Sequence, residues 1–214
     1  MKPMEIIDLT FEPGRVPGGL FKARRNDVSL KSPGVEYTGV VYEFTMSSMA
    51  GTYLDFPGHI AETDDGQDAA NYPLEKLYRR RAVVIRLDRQ DNSGGVTATE
   101  LARTCPAEIR KGDALIVNAL GDRQFYEINE RSVFFGQDAV EWIIGQGVEL
   151  LVSDIYESKA LAGVFYKLFQ AGISTVCLPV NLNRLTVPEI KLTVMPLPVR
   201  GITQIPCRVV AEMN

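Results

Sequence analysis

The chain has 214 residues, of which 45% are hydrophobic and 23% are charged, and its formal net charge is −4 at pH 7. This composition is typical of a globular protein and excludes a disordered or fibrous chain, while the length predicts one domain spanning residues 1–214. The acidic balance excludes a basic surface for nucleic acid or an anionic membrane. A small molecule or a protein is the favoured partner.

The first elements of the chain are predicted strands. Residues 6–9 are typical of a short strand, followed by a loop rich in proline and glycine over 13–19. Residues 35–44 have the β-branched and aromatic content of a strand that leads into the segment 49–59. We therefore expect that segment at a strand's end or in the following turn, where Gly51, Pro57 and Gly58 allow tight backbone paths.

The middle of the chain alternates between strands and helices. Residues 82–87 and 114–119 are short apolar runs typical of strands buried on both faces, and a helix starts between them at 97–101. Two further helix-and-strand pairs follow, with helices over 138–144 and 159–170 and strands over 148–154 and 173–178. This alternation predicts an α/β fold with strands that are at least partly parallel. Two strands, at 192–199 and 207–212, close the chain.

The amino terminus and the cysteines indicate the compartment. Residues 1–8 lack the features of a secretory signal, and no apolar run approaches the roughly 20 residues that span a bilayer. Cys105, Cys177 and Cys207 are odd in number and far apart, which predicts free thiols rather than disulfides or a zinc finger. We expect a cytoplasmic protein.

Residues 49–59 read Met-Ala-Gly-Thr-Tyr-Leu-Asp-Phe-Pro-Gly-His and contain the only histidine of the chain. They resemble the signature of the cyclase family, which includes kynurenine formamidases and isatin hydrolases and reads His-x-Gly-Thr-His-x-Asp-x-Pro-x-His. The opening strand and the two closing strands also resemble the family, so the resemblance extends over 6–212. It implies a single cyclase-like domain, an α/β fold of the swivelling β/β/α type with a mixed sheet.

The same resemblance indicates that a metal site has been lost. Four positions at which the family has metal ligands carry other residues here: Met49, Tyr53, Phe165 and Cys177. A zinc or manganese ion is held by three or four His, Cys, Asp or Glu side chains. We therefore expect no metal and no other cofactor. A mononuclear site of Asp55, His59, Cys177 and water is the alternative.

The motif also contains the predicted acid/base residues. The resemblance gives His59 an acid/base role, and histidine can take and return a proton near neutral pH. Asp55, four residues earlier, could fix the tautomer of His59. The alternatives are a histidine held by backbone hydrogen bonds and an aspartate that caps a turn. Tyr53 is the third candidate, because its hydroxyl could polarise a substrate carbonyl in the former metal site or could simply fill the core.

Substrate contacts are assigned to the remaining positions around that site: Met49, Thr52, Phe165 and Cys177. Met49 and Phe165 would make the site apolar, and Thr52 could instead hold a turn. Cys177 could be a nucleophile, whereas a cysteine on an apolar strand is more often an inert packing residue.

Two functions are consistent with these residues. One is a metal-independent cyclase- or hydrolase-like enzyme that uses general acid/base chemistry on a small carbonyl compound, such as a cyclic amide, lactone or keto compound. The other is a catalytically inactive relative that binds a metabolite or protein in the former metal pocket. In either case the resemblance, together with the long loop at 13–19, predicts a homodimer or higher homo-oligomer.

Overall fold

The computed structural model of the protein describes residues 4–15, 21–87, 89 and 93–213. Within these ranges the strands are β1 (Glu5–Asp8), β2 (Phe21–Ser32), β3 (Val35–Met46), β4 (Tyr53–Asp55), β5 (Arg80–Arg86), β6 (Gly94–Val96), β7 (Ala114–Asn118), β8 (Val133–Phe135), β9 (Leu150–Ser153), β10 (Ser174–Cys177), β11 (Glu189–Pro196) and β12 (Gln204–Met213). The α-helices are α1 (Ala98–Thr104), α2 (Gln137–Gly145) and α3 (Val164–Gln170). None of the helices described is long and apolar enough to cross a lipid bilayer. Residues 16–19 of the loop predicted over 13–19 lie outside the described residues.

Eight strands form one mixed sheet in the order β1-β12-β11-β5-β7-β9-β10-β4, and β4 also pairs with β12. The strands β5, β7, β9 and β10 are parallel neighbours, whereas the other pairings are antiparallel. Separate apolar clusters cover the two faces of the sheet. The predicted strands at 82–87 and 114–119 are confirmed as β5 and β7, and both are buried because the sheet is covered on both sides.

The helices follow local signals in the sequence. At the start of α1, the Thr97 hydroxyl accepts from the Glu100 N–H at 3.2 Å and the Glu100 carboxylate accepts from the Thr97 N–H at 2.9 Å, which is a capping box. The predicted helix over 159–170 is wrong at its start, because α3 begins only at Val164. Gly163 before it is left-handed, with φ 78°, and the Glu157 carboxylate accepts the Val164 N–H at 2.8 Å.

A long hairpin is the main feature that the sequence pattern missed. The predicted strand at 35–44 is confirmed as β3, but its partner β2 was not predicted, and the two pair along their whole length from Phe21↔Met46 to Ser32↔Val35. Most side chains of both strands are exposed. The hairpin therefore presents aromatic and aliphatic side chains to solvent, Tyr37 and Phe44 among them.

The carboxyl-terminal strand β12 organises the region around the motif. Its later residues pair with β1 and β11, whereas Gln204–Pro206 pair with β4. On its other side β4 pairs with the end of β10. The short strand that carries Tyr53 and Asp55 is thus held between β10 and β12.

Candidate active site

A row of polar side chains crosses three neighbouring strands at β4. Tyr53 and Asp55 are two residues apart on this strand, so they point to the same face of the sheet. Cys177 on β10 is the register partner of Tyr53, and Gln204 on β12 is the register partner of Asp55. Strand pairing therefore brings together residues that are up to 151 positions apart in the chain.

Asp55 is buried in the middle of this row, with 2% of its surface exposed. Its Oδ2 accepts from the Cys177 thiol, with a Sγ–Oδ2 distance of 3.5 Å, and among the residues described its Oδ1 has no hydrogen-bond partner. Burial raises the pKa of Asp55 to about 6, although His59 and the side chains of Gln204 and Cys177 act in the opposite direction. The carboxyl can therefore change its protonation state close to neutral pH.

His59 lies at the outer end of the row. It ends the 3₁₀ turn Pro57–His59 and is exposed. Its Nε2 is 3.2 Å from Nε2 of Gln204, and its ring meets that of Phe169 edge-on, with centroids 6.4 Å apart. The Gln204 Oε1 accepts from the Ser48 hydroxyl. Gln204 therefore lies between the exposed histidine and the buried carboxyl.

A pocket of about 240 Å³ opens at the other end of the row. Its wall brings together three sequence-predicted residues, Tyr53, Phe165 and Cys177, and adds Tyr156 and Asp154. Phe165 stacks on Tyr156 with centroids 5.0 Å apart, and the Tyr156 hydroxyl donates to the Val176 carbonyl at 2.8 Å. The pocket wall therefore combines aromatic side chains with charged ones, which are Glu130, Arg131, Asp154 and Glu157.

The acidities of the pocket groups decide what they can do. Burial raises the pKa of Tyr53, and the charges of Cys177 and Asp55 raise it further. Burial likewise raises the pKa of the Cys177 thiol well above its usual value, as does the nearby Asp55. Both groups therefore stay protonated at neutral pH, which disfavours the nucleophile interpretation of Cys177, since the thiolate is the attacking form. Desolvation raises the pKa of Asp154 to about 7.

Other predicted site residues lie outside the pocket. Met49 is 50% exposed on the turn after β3, and neither it nor His59 nor Thr52 is among the residues that line the pocket. Thr52 is buried, donates to the Leu178 carbonyl at 2.8 Å and accepts from the Phe11 N–H at 2.7 Å. Its hydroxyl is thus fully used in joining three segments. Asp55 lies within a strand and bonds to Cys177, so the turn-capping alternative is wrong.

The residues at this site do not fit a bound zinc or manganese ion. In the part of the chain that the structure describes, no three His, Cys, Asp or Glu side chains come together as ligands. The alternative set of Asp55, His59 and Cys177 is not assembled, because Gln204 contacts the histidine while Cys177 contacts the carboxylate. Tyr53 and Phe165 supply a protonated phenol and a hydrocarbon ring, neither of which replaces a hydration shell.

Three residues of the site were missed from the sequence: Gln204, Asp154 and Tyr156 of the pocket wall. Gln204 was not predicted because only the β4–β12 register places it beside Asp55. Asp154 directly follows β9, and its carboxylate accepts the Ala119 and Leu120 N–H groups at 2.9 and 3.1 Å. A polar residue at the carboxyl end of a parallel strand was the available signal, since ligands bind at that edge of α/β sheets.

Comparison with known proteins gives a family and a fold. The family model described as "Putative cyclase" matches residues 7–158. Isatin hydrolase A from Ralstonia solanacearum has a TM-score of 0.75 and 21% identity, covering 99% of this chain and 92% of that chain. Isatin hydrolase A from Labrenzia aggregata, bound to benzyl benzoate, has a TM-score of 0.73 and 20% identity, covering 98% and 94%. A "predicted metal-dependent hydrolase" from Bacillus stearothermophilus has a TM-score of 0.70 and 18% identity, covering 99% of both chains.

No curated protein matches the chain. At these identities the structural likeness shows the fold, and it confirms the mixed α/β architecture that the resemblance implied.

Proposed function

Because the chain belongs to the cyclase family, we propose that it is a cyclase- or hydrolase-like enzyme that acts without a metal on a small carbonyl compound, such as a cyclic amide, lactone or keto compound. Similar structures carry the names isatin hydrolase and metal-dependent hydrolase. The observation that carries the proposal is the pocket wall of Tyr53 and Cys177 with the carboxyl of Asp55 directly behind it. This arrangement supplies a proton donor and a proton acceptor at one site.

Because no set of metal ligands comes together among the described residues, the proposal favours proton-transfer chemistry. A bound zinc ion makes a nucleophilic hydroxide available near neutral pH, and amide or ester hydrolysis is harder without it. Ring closure, dehydration and isomerisation need instead an oriented substrate and an acid/base group. These reactions match the groups that the pocket contains.

Each residue of the row has a distinct task in this proposal. The Tyr53 hydroxyl, kept protonated by burial, donates a hydrogen bond to the substrate carbonyl oxygen. Asp55 accepts a proton that reaches it through the Cys177 thiol, which donates to its Oδ2. His59, exposed at the other end, exchanges protons with solvent, and its charge lowers the pKa of Asp55 and so favours the carboxylate that accepts the proton. Phe165 and Tyr156 hold the substrate against this wall.

Asp154 is a second acid/base group in the same pocket. It lines the wall and its pKa of about 7 suits proton transfer at neutral pH.

The test is a turnover screen of the purified protein with cyclic amides, lactones and keto compounds, followed by Asp55→Asn, His59→Asn and Asp154→Asn. Loss of turnover in the first two variants supports the row, whereas loss in Asp154→Asn alone transfers the chemistry to Asp154.

A binding protein without catalysis is the second candidate, because the one histidine does not line the pocket. In that case compounds from the same screen would raise the melting temperature of the protein, since ligand binding stabilises the folded state. The compounds themselves would not be converted. Thermal stabilisation without any product would favour this candidate over the enzyme.

We also propose a homo-oligomer in the cytoplasm. The exposed hairpin of β2 and β3 carries apolar side chains that a monomer leaves in water, including Leu30, Tyr37, Tyr42 and Phe44, and such patches are typical of interaction surfaces. The three cysteines of the protein are unpaired, which agrees with a reducing compartment.

A further inference from the structure

The amide of Gln204 makes a directed contact with the only histidine of the chain. Gln204 is 8% exposed, and the β4–β12 register places its side chain beside Asp55. Its Nε2 is 3.2 Å from His59 Nε2, and its Oε1 accepts from the Ser48 hydroxyl. Both ends of the amide are therefore engaged. The carboxylate of Asp55 only accepts hydrogen bonds, and the Gln204 side chain beside it lowers the pKa of Asp55, so the NH₂ end of the amide faces Asp55 and the oxygen faces Ser48.

This orientation determines where the proton of the neutral imidazole lies. An amide nitrogen only donates hydrogen bonds, whereas an imidazole nitrogen accepts only when it carries no proton. With its NH₂ end on the side of the Asp55 carboxylate, the Gln204 Nε2 donates to His59 Nε2. The neutral ring therefore has its proton on Nδ1.

We propose that Gln204 is a positioning residue that holds His59 in the Nδ1–H tautomer, so that the exposed histidine offers a proton donor rather than a lone pair. The edge of Phe169 against the ring opposes a ring flip that would exchange the two nitrogens. The inference rests on the proposed function for its catalytic meaning. In that function His59 exchanges protons with solvent, and proton uptake at Nε2 requires the bond to Gln204 to break.

The test is the ¹⁵N spectrum of the imidazole in the full chain at a pH where the ring is neutral. A single histidine gives one pair of ring nitrogens, and the chemical shifts distinguish the protonated nitrogen from the free one. In the wild-type protein we expect the proton on Nδ1. In Gln204→Leu we expect a shift toward the Nε2–H tautomer, which free histidine prefers in water. Gln146→Leu, which removes an amide that donates to Trp142, should leave the tautomer unchanged.

Ser48→Ala is the second variant, because Ser48 is exposed and its replacement does not disturb the core. It frees the amide to turn, so we expect a mixture of the two tautomers. An Nε2–H ring in the wild-type protein, or an unchanged Nδ1–H ring in both Gln204→Leu and Ser48→Ala, would overturn the inference. The spectrum needs no turnover, so this outcome is independent of whether the protein is an enzyme.

Discussion

Replacing the buried Asp55 by asparagine should produce a stability change that depends on pH. The pKa of this carboxyl is raised by burial from 3.8 to about 6 in the folded protein. A group whose pKa is raised on folding binds its proton more tightly in the folded state, so stability falls as the pH rises through this window. One pKa unit corresponds to about 1.4 kcal/mol, so the ionised carboxyl costs the folded state about 3 kcal/mol at about pH 8.

Asparagine removes this charge but leaves an amide group where the unpartnered Oδ1 now lies. An unsatisfied buried amide costs about 1 to 3 kcal/mol at any pH. We therefore expect Asp55→Asn to be less stable than the wild-type protein at about pH 4.5 and to improve relative to it by about 2 kcal/mol at about pH 8.

The assay is urea denaturation of both proteins at the two pH values, with Asp122→Asn, at an exposed position, as the control for loss of one carboxyl. A role of Asp55 as a hydrogen-bond acceptor alone predicts instead an equal loss of stability at both pH values. Such an equal loss, or a larger loss at the higher pH, would refute the reasoning from burial.

Three further predictions test other parts of the account. His59→Asn should lower any turnover by about 10² to 10⁴ and change the urea midpoint little, because asparagine keeps polarity but cannot transfer a proton; retention of the wild-type rate would exclude an acid/base role. Light scattering should give a mass at least twice the 23.7 kDa of the chain, and a monomer at micromolar concentration would contradict the assembly. Gly51→Ala should destabilise the protein by more than about 1 kcal/mol. The reason is that Gly51 has φ 74° and that an added Cβ would lie 2.5 Å from the Phe11 carbonyl oxygen. An unchanged melting curve would argue against that close approach.

The sequence predicted those elements whose local pattern agrees with their place in the fold. The strands β5 and β7 were recognisable because a strand covered on both faces is apolar throughout. The strand β2 was missed because its polar, exposed residues carry no burial pattern and are held only by pairing with β3. The early start predicted for α3 failed because Gly163 is left-handed.

At the candidate site, too, the sequence predicted residues that carry a local signal and missed those that only the whole fold brings together. Tyr53 and Phe165 were assigned to one pocket through the family resemblance, and both line it. Met49, from the same motif as Tyr53, lies on an exposed turn, which a linear motif does not reveal. Gln204 is 145 positions from His59, and only the strand register brings the two together. Pairings across a sheet depend on the whole fold and are therefore beyond local reasoning.

The central claim is that this member of the cyclase family works without a metal ion. The most direct measurement is elemental analysis of the purified protein together with its turnover in the presence of a strong chelator. The account predicts no stoichiometric zinc or manganese and an unchanged rate after chelation, because Tyr53, Phe165 and Cys177 occupy the pocket wall where ligands would be needed. A stoichiometric ion, or a rate that disappears in chelator and returns with added metal, would contradict it.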